Sequence, residues 1–182
     1  MASRPEHSRY GYDRTVTPTG TRAIEIVRRA GIEHRVHEYV IAARHGRNRD
    51  ARPSYGGEAA QALGVPADRV YKTLVAAVDE RLVLAVVPAA TELDLKRLAD
   101  ACGGRRAVLA DPADAMRATG YVIGGISPLG SRRALAVVVD AGSSEYATVF
   151  VSAGRRGLQL ELAPADLVRL TRANVARIGR DH

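Results

Sequence analysis

"RVYKTLVAAVDERLVLAVVP", residues Arg69–Pro88, decides how this chain folds. Two apolar runs of strand length flank the polar pair Asp79-Glu80, which predicts a tight turn between two strands. Both runs are apolar on both parities, so the two strands are expected at the centre of a sheet covered on both faces. Upstream, Thr21 is positioned to cap a helix whose apolar stripe is Ala23, Ile24, Ile26, Val27 and Ala30, with Gly31 ending it. "IEHRVHEYV" alternates as a strand, Arg44 to Ser54 reads as a solvated loop, and a short helix is expected over Glu58 to Leu63. Downstream, Thr91 with Asp94 resembles a capping box that opens a helix to about Cys102. "RAVLA" is a short strand. In "DPADAMRATG", Asp111 stands at a cap, Pro112 at the first helical position and Gly120 past the end. "ALAVVVD", "ATVFVSAG" and "GLQLELA" are further strands, and a last helix runs from about Pro164 to Arg172. Helices interspersed with strand pairs predict an α/β fold: a single mixed-sheet domain with surrounding helices and no internal repeat.

A chain of 182 residues with 46% hydrophobic content can build one sizeable core. Its net charge of +7 favours a polyanionic partner such as nucleic acid. The signal is diluted by composition, because Lys72 and Lys96 are the only lysines among 27 basic residues and the arginine excess reads equally as a habit of the source genome. Cys102 is the only cysteine, which excludes an intramolecular disulfide and reads as a small core residue. No apolar run approaches the roughly 18 residues that span a bilayer, and the first twenty residues lack a signal peptide's apolar stretch. A cytoplasmic location with no membrane partner is expected.

"TGYVIGGISPLG", residues 119–130, concentrates glycines around one serine. A nucleophile elbow needs G-x-S-x-G, and the spacing from Ser127 to Gly130 is one residue too long. A phosphate loop needs a lysine after its last glycine, and Gly130 is followed by Ser131. A dinucleotide fingerprint would open a helix after a strand, whereas this loop follows a helix and leads into a strand. Two readings stay open: a loop whose backbone amides hold a carbonyl oxygen that becomes negative in acyl transfer, or a tight connection in which only glycine fits. Pro128 fixes one of its turns. Metal is not indicated, since His34 and His37 fall on opposite faces of a strand and no further ligand stands at zinc spacing.

Two charged side chains stand out in apolar company, and two more share a strand face. Lys72 shares strand parity with Leu74, Ala76 and Val78, so it points where its neighbours are buried, unless its stem carries the ammonium out to solvent. In a chain that otherwise uses arginine, a lysine here suggests a need for a compact charge. Asp140 closes "ALAVVVD" and either serves a site at the strand end or starts the turn with Ala141-Gly142. Tyr39 and His37 share one face of their strand and edge either a pocket or plain sheet surface.

In "RVYKTLV", "LAVVP", "LDLKRLADACG", "ADP", "TGYVIGGISPLG" and "VVVDAGSSEYATVFVSAGRRGLQLEL" the chain resembles the bacterial YbaK/EbsC proteins, relatives of the editing insertion of prolyl-tRNA synthetase. The resemblance runs from about Thr17 to about Thr171 and implies an editing domain over residues 17–178, behind a basic arm over 1–16. It implies an aminoacyl-tRNA deacylase that acts in trans on cysteinyl-tRNA(Pro), and by extension on cysteinyl-tRNA(Cys). The family's G-x-x-x-P loop falls on Gly124, Gly125, Ile126, Ser127 and Pro128, whose amides would hold the aminoacyl carbonyl. The family's required lysine falls on Lys72, its aspartate on Asp140 and its pocket tyrosine on Tyr39, with Tyr121 and Gly130 at the loop's edges as further substrate contacts. The resemblance also implies that the substrate's own thiol attacks its ester, so that no protein nucleophile and no cofactor is needed. Its partners would be the acceptor end of aminoacyl-tRNA and prolyl-tRNA synthetase. The rival readings are a deacylase for another small amino acid such as alanine, and a tRNA- or synthetase-binding accessory protein without catalysis. The arm and the Arg44–Ser54 loop depart from the family's pattern, and are either added tRNA contacts or solvated insertions.

Overall fold

A computed structural model describes residues 20–41 and 55–180, so the basic arm and the Arg44–Ser54 loop lie outside the described residues. In chain order the elements are α1 (Arg22–Arg29), β1 (His34–Glu38), α2 (Tyr55–Leu63), β2 (Val70–Val78), β3 (Arg81–Pro88), β4 (Glu92–Leu93), α3 (Leu95–Ala101), β5 (Ala107–Leu109), α4 (Pro112–Thr119), β6 (Ala136–Asp140), β7 (Val149–Ser152), β8 (Leu158–Leu162), α5 (Pro164–Thr171), β9 (Asn174–Ala176) and β10 (Gly179–Arg180). Short 3-10 turns cover Ala67–Arg69 and Ala141–Glu145.

The hairpin read first lies at the centre. The main sheet has the order β1-β8-β7-β2-β3-β6-β9, with β5 pairing β2 in addition. It is mixed: β2–β7, β3–β6 and β6–β9 are parallel, and the remaining pairs are antiparallel. Asp79 and Glu80 both take positive φ, 43° and 71°, the geometry of a two-residue hairpin turn that matches strand twist. The Asp79 carboxylate braces that turn by accepting from the amides of Arg105 and Arg106.

Both faces of the hairpin are covered, as its double apolar parity requires. Tyr71, Val75, Leu84 and Val86 pack with Ile24 and Val27 of α1 and Leu167 of α5. Ala76, Val78, Val83 and Ala85 pack with Leu98 and Ala99 of α3 and with Ile178. Ala59 and Ala60 of α2 meet Val70 and Phe150 in a smaller cluster. The helix signals hold at Thr21, which caps α1, and at Asp111, which caps α4 with Pro112 in its first turn and left-handed Gly120 at its end.

Three local readings are corrected. The cap of α3 is Asp94, whose carboxylate accepts from the Lys96 and Arg97 amides, while Thr91 lies outside the helix and donates its hydroxyl to Pro88 O. α2 starts at Tyr55, three residues before the expected Glu58. After α5 the chain forms β9 and β10, pieces of three and two residues that are too short to show a period.

Candidate active site

One feature of the sheet creates the site. β2 pairs β7 only through Val70 and Tyr71, then pairs β5 on the same edge through Ala76–Val78. Between them β7 and β2 diverge and leave a cavity of about 430 Å³, lined by Tyr55, Lys72, Thr73, Gly124, Ile126 and Gln159 among others. Lys72 and Thr73, consecutive residues that would face opposite ways in a continuous sheet, both line it. Most of the remaining wall is apolar, including Leu74, Val75, Leu109 and Ile123.

Lys72 is half-buried and is held by main-chain carbonyls: its Nζ donates to Ala89 O and Thr91 O in the segment between β3 and β4. Burial lowers its pKa from the ordinary value, and the charge of Glu92 opposes the shift. An ammonium has three donors, and these carbonyls take two. No carboxylate is paired directly with it among the described residues.

The glycine loop forms the opposite wall. Gly124 has φ +83°, and a Cβ there would lie 2.8 Å from the Tyr55 ring, so the backbone lies flat on an aromatic face. Gly125 N donates to Val122 O, while the amides of Gly124, Ile126 and Ser127 have no acceptor among the described residues. Ser127 is fully buried, and its Oγ accepts from Leu129 N as a turn-forming hydroxyl. Pro128 is buried beneath the loop.

Two arginines fasten the loop at its ends. Arg156 Nε donates to Ile123 O at 2.7 Å while its guanidinium stacks 4.9 Å from the centre of the Tyr55 ring. Arg22 donates to Thr119 O at 3.0 Å and lies 4.8 Å over the Tyr121 ring. Tyr121 is buried and donates its hydroxyl to Leu129 O at 2.8 Å, so it fastens the loop from beneath and is absent from the cavity lining. Gly130 sits against the same hydroxyl, where a Cβ would approach to 2.9 Å.

The structure therefore brings Lys72, Gly124 and Ile126 to one cavity, with Gly125, Ser127 and Pro128 adjoining them in the loop, and leaves Asp140, Tyr39, Tyr121 and Gly130 outside its lining. Asp140 is 6% exposed and lies in a different cavity; its carboxylate accepts from the amides of Gly142, Ile178 and Gly179. Tyr39 lies just beyond β1, packed with the α2–Phe150 cluster, and His37 faces Phe150 with ring centres 5.2 Å apart. Tyr121 is the loop fastener just described. Sequence reading missed Tyr55, Thr73 and Gln159. Thr73 Oγ1 and Gln159 Oε1 are buried without a hydrogen-bond partner among the described residues. The available signal was Gln159 itself, a polar residue between Leu158 and Leu160 in an interior strand.

Fold and cavity define a mixed α/β domain in which Lys72 and the loop residues Gly124 and Ile126, whose amides have no acceptor among the described residues, line a small, largely apolar cleft. The chain belongs to the aminoacyl-tRNA editing domain family, whose profile matches residues 54–170. By that membership it is an aminoacyl-tRNA deacylase. It is similar to EbsC of Enterococcus faecalis, named as a candidate Cys-tRNA(Pro)/Cys-tRNA(Cys) deacylase: 38% identity over 120 residues, 65% of this chain and 73% of that protein. It is also similar to the multifunctional Ser/Thr-tRNA deacylase ProXp-y of Escherichia coli, 33% identical over 99 residues, 54% of this chain and 59% of that one. Among solved structures, a candidate trans-editing enzyme for prolyl-tRNA synthetase superposes with a TM-score of 0.76 and 26% identity over 91% of this chain and 99% of that one. Among the described residues no helix is long and apolar enough to cross a membrane.

Proposed function

We propose that this deacylase acts in trans on cysteine mischarged onto tRNA(Pro), with cysteinyl-tRNA(Cys) as a second substrate, and that the substrate supplies the nucleophile. The observation that carries this reading is that Gly124 and Ile126, whose amides have no acceptor among the described residues, line the same cavity as Lys72, while the one serine of the loop is buried and occupied. The cysteinyl thiol attacks its own ester carbonyl; the C–S bond forms, the ester C–O bond breaks, and the thiol proton ends on the ribose oxygen. The products are a thiolactone and free tRNA. The loop amides take the charge that develops on the carbonyl oxygen, and the cleft holds thiol and carbonyl together. Lys72, fixed by two carbonyls with a donor to spare, orients the terminal nucleotide as a point charge. Asp140 acts indirectly, by fixing the strand ends beside that lysine's anchor.

A hydroxyl-bearing amino acid is the second reading, and the unpaired Thr73 Oγ1 and Gln159 Oε1 favour it, because each can pair with a polar side chain. Single-turnover hydrolysis of cysteinyl-, seryl-, alanyl- and S-methylcysteinyl-tRNA(Pro) separates the two. The thiol-assisted route predicts rapid loss of the cysteinyl ester alone, slowed about 10- to 100-fold in Lys72→Ala, the scale of one charged hydrogen bond. Turnover of the S-methyl or seryl ester at the cysteinyl rate would overturn it.

A further inference from the structure

A second cavity, of about 440 Å³, opens where β3, β6 and β9, which run parallel to one another, reach their carboxyl ends. Open α/β sheets place ligands outside the carboxyl ends of such strands. Its residues follow those ends directly: Pro88 closes β3, Asp140 closes β6, and Arg177 comes immediately after β9.

Tyr71 marks this cavity as a binding site. The residue is 2% exposed, yet its hydroxyl has no hydrogen-bond partner among the described residues. That hydroxyl sits beside Asp140 and Gly142: a Cβ on Gly142 would lie 3.1 Å from Asp140 Oδ1 and 3.8 Å from Tyr71 Oη. Burial, followed by the charge of Asp140, raises the Tyr71 pKa far above its ordinary value, so the group remains a neutral donor. Among the described residues Asp140 Oδ1 accepts only from Gly142 N, so it keeps acceptor capacity.

The charge in the cavity is divided. Asp68, Asp140 and Glu145 surround the tyrosine, while Arg97, Arg177 and Arg180 form the other wall. Arg97 is tied to Gly179 O and Arg180 to Glu92, whereas Arg177 is exposed and has no partner among the described residues. A ligand that fits must offer hydroxyls to one side and a phosphate to the other. Thr91 joins this cavity to the aminoacyl site, since it lines the one and its carbonyl anchors Lys72 of the other.

We propose that this second cavity binds a ribonucleotide unit, with its ribose hydroxyls on Tyr71 and Asp140 and its phosphate on Arg177. The adjacent aminoacyl site makes the single-stranded 3′ end of the substrate tRNA the expected source, and in that respect the proposal rests on the tRNA reading above. A hydroxyl contact to the ribose would distinguish RNA from DNA at this point, and a phosphate contact would not.

The test uses the full chain and a labelled, uncharged ACCA tetranucleotide as RNA and as DNA, with binding followed by fluorescence anisotropy. RNA is expected to bind about three- to tenfold more tightly than DNA, the worth of one hydrogen bond. Tyr71→Phe should abolish that preference without lowering the thermal midpoint, since it removes only an unpaired buried hydroxyl. Arg177→Ala should weaken RNA and DNA alike and reduce the salt slope by about 0.7–1. Displacement by free CMP or AMP as effective as by the unlabelled tetranucleotide would give the same site to a free nucleotide; poor displacement would give it to a chain end. Equal affinity for RNA and DNA in the wild type, or wild-type binding by both variants, would overturn the proposal. Because the probe carries no aminoacyl ester, a failure of the deacylation reading leaves this outcome legible.

Discussion

Replacing Gly124 by alanine tests whether the glycine loop is a shaped backbone or an ordinary connection. At φ +83° an L-residue pays about 1–2 kcal/mol for the left-handed conformation. The added Cβ also meets three carbons of the Tyr55 ring at 2.8–2.9 Å, closer than carbon atoms pack, and relief requires either the ring or the loop to move. Overpacking of this kind costs about 1–3 kcal/mol. The sum is about 2–5 kcal/mol of stability, or a fall of about 4–20 °C in the thermal midpoint for a domain of this size. The ring is backed by Arg156, which is itself hydrogen-bonded to Ile123 O, so the loop is expected to shift along with it. A displacement near 1 Å at the carbonyl position would lower single-turnover deacylation about 100-fold. Tyr55→Ala removes the obstructing ring but leaves φ unchanged, so the double variant should be more stable than the sum of the two losses by about 1–3 kcal/mol, the clash share alone. Additive losses, or a Gly124→Ala enzyme with wild-type stability and rate, would refute this account of the loop.

Ser127→Ala should keep its deacylation rate within a small factor and lose about 1 kcal/mol of stability, because its hydroxyl closes a turn with Leu129 N and attacks nothing; a rate reduced to background in a folded variant would restore a serine nucleophile. Glu161 gives the pH prediction. Burial pushes its pKa up, but hydrogen bonds from Thr148 and His37, with the His37 charge, outweigh this and hold it below the ordinary 4.5. A depressed carboxylate contributes stability above its unfolded value and loses it as pH falls through the folded one. Urea midpoints measured from pH 6 downward should therefore fall more steeply below about pH 4.5 in the wild type than in Glu161→Gln, and parallel curves would exclude the residue as a source of acid sensitivity.

Much of the fold was legible because its signals are local. The Asp79-Glu80 turn, the caps at Thr21 and Asp111, and the left-handed Gly120 each depend on a few neighbouring atoms, and each stands where its residue type requires. Asp94 rather than Thr91 caps α3 because β4, a two-residue strand paired to β10, uses the intervening residues. That pairing joins positions almost ninety residues apart, and no local pattern carries it.

The site divides in the same way. Lys72 stood out as a charge among apolar neighbours, and the loop as a run of glycines that matched no phosphate or nucleophile motif. Asp140 stood out as an acid at a strand end that serves either a site or a turn, and its carboxylate holds three amides, that of Gly142 in the turn and those of Ile178 and Gly179 across the fold, at the far side of Tyr71. Strand parity says which face a side chain takes but not which strand lies beside it. The sequence alone determined the central hairpin, the helix caps at Thr21 and Asp111 and the residues expensive enough to need a purpose. Tertiary structure decided which of them meet, because the cavity exists only where β2 leaves β7 for β5, and strand pairing is settled by closure of the whole sheet rather than by any single segment.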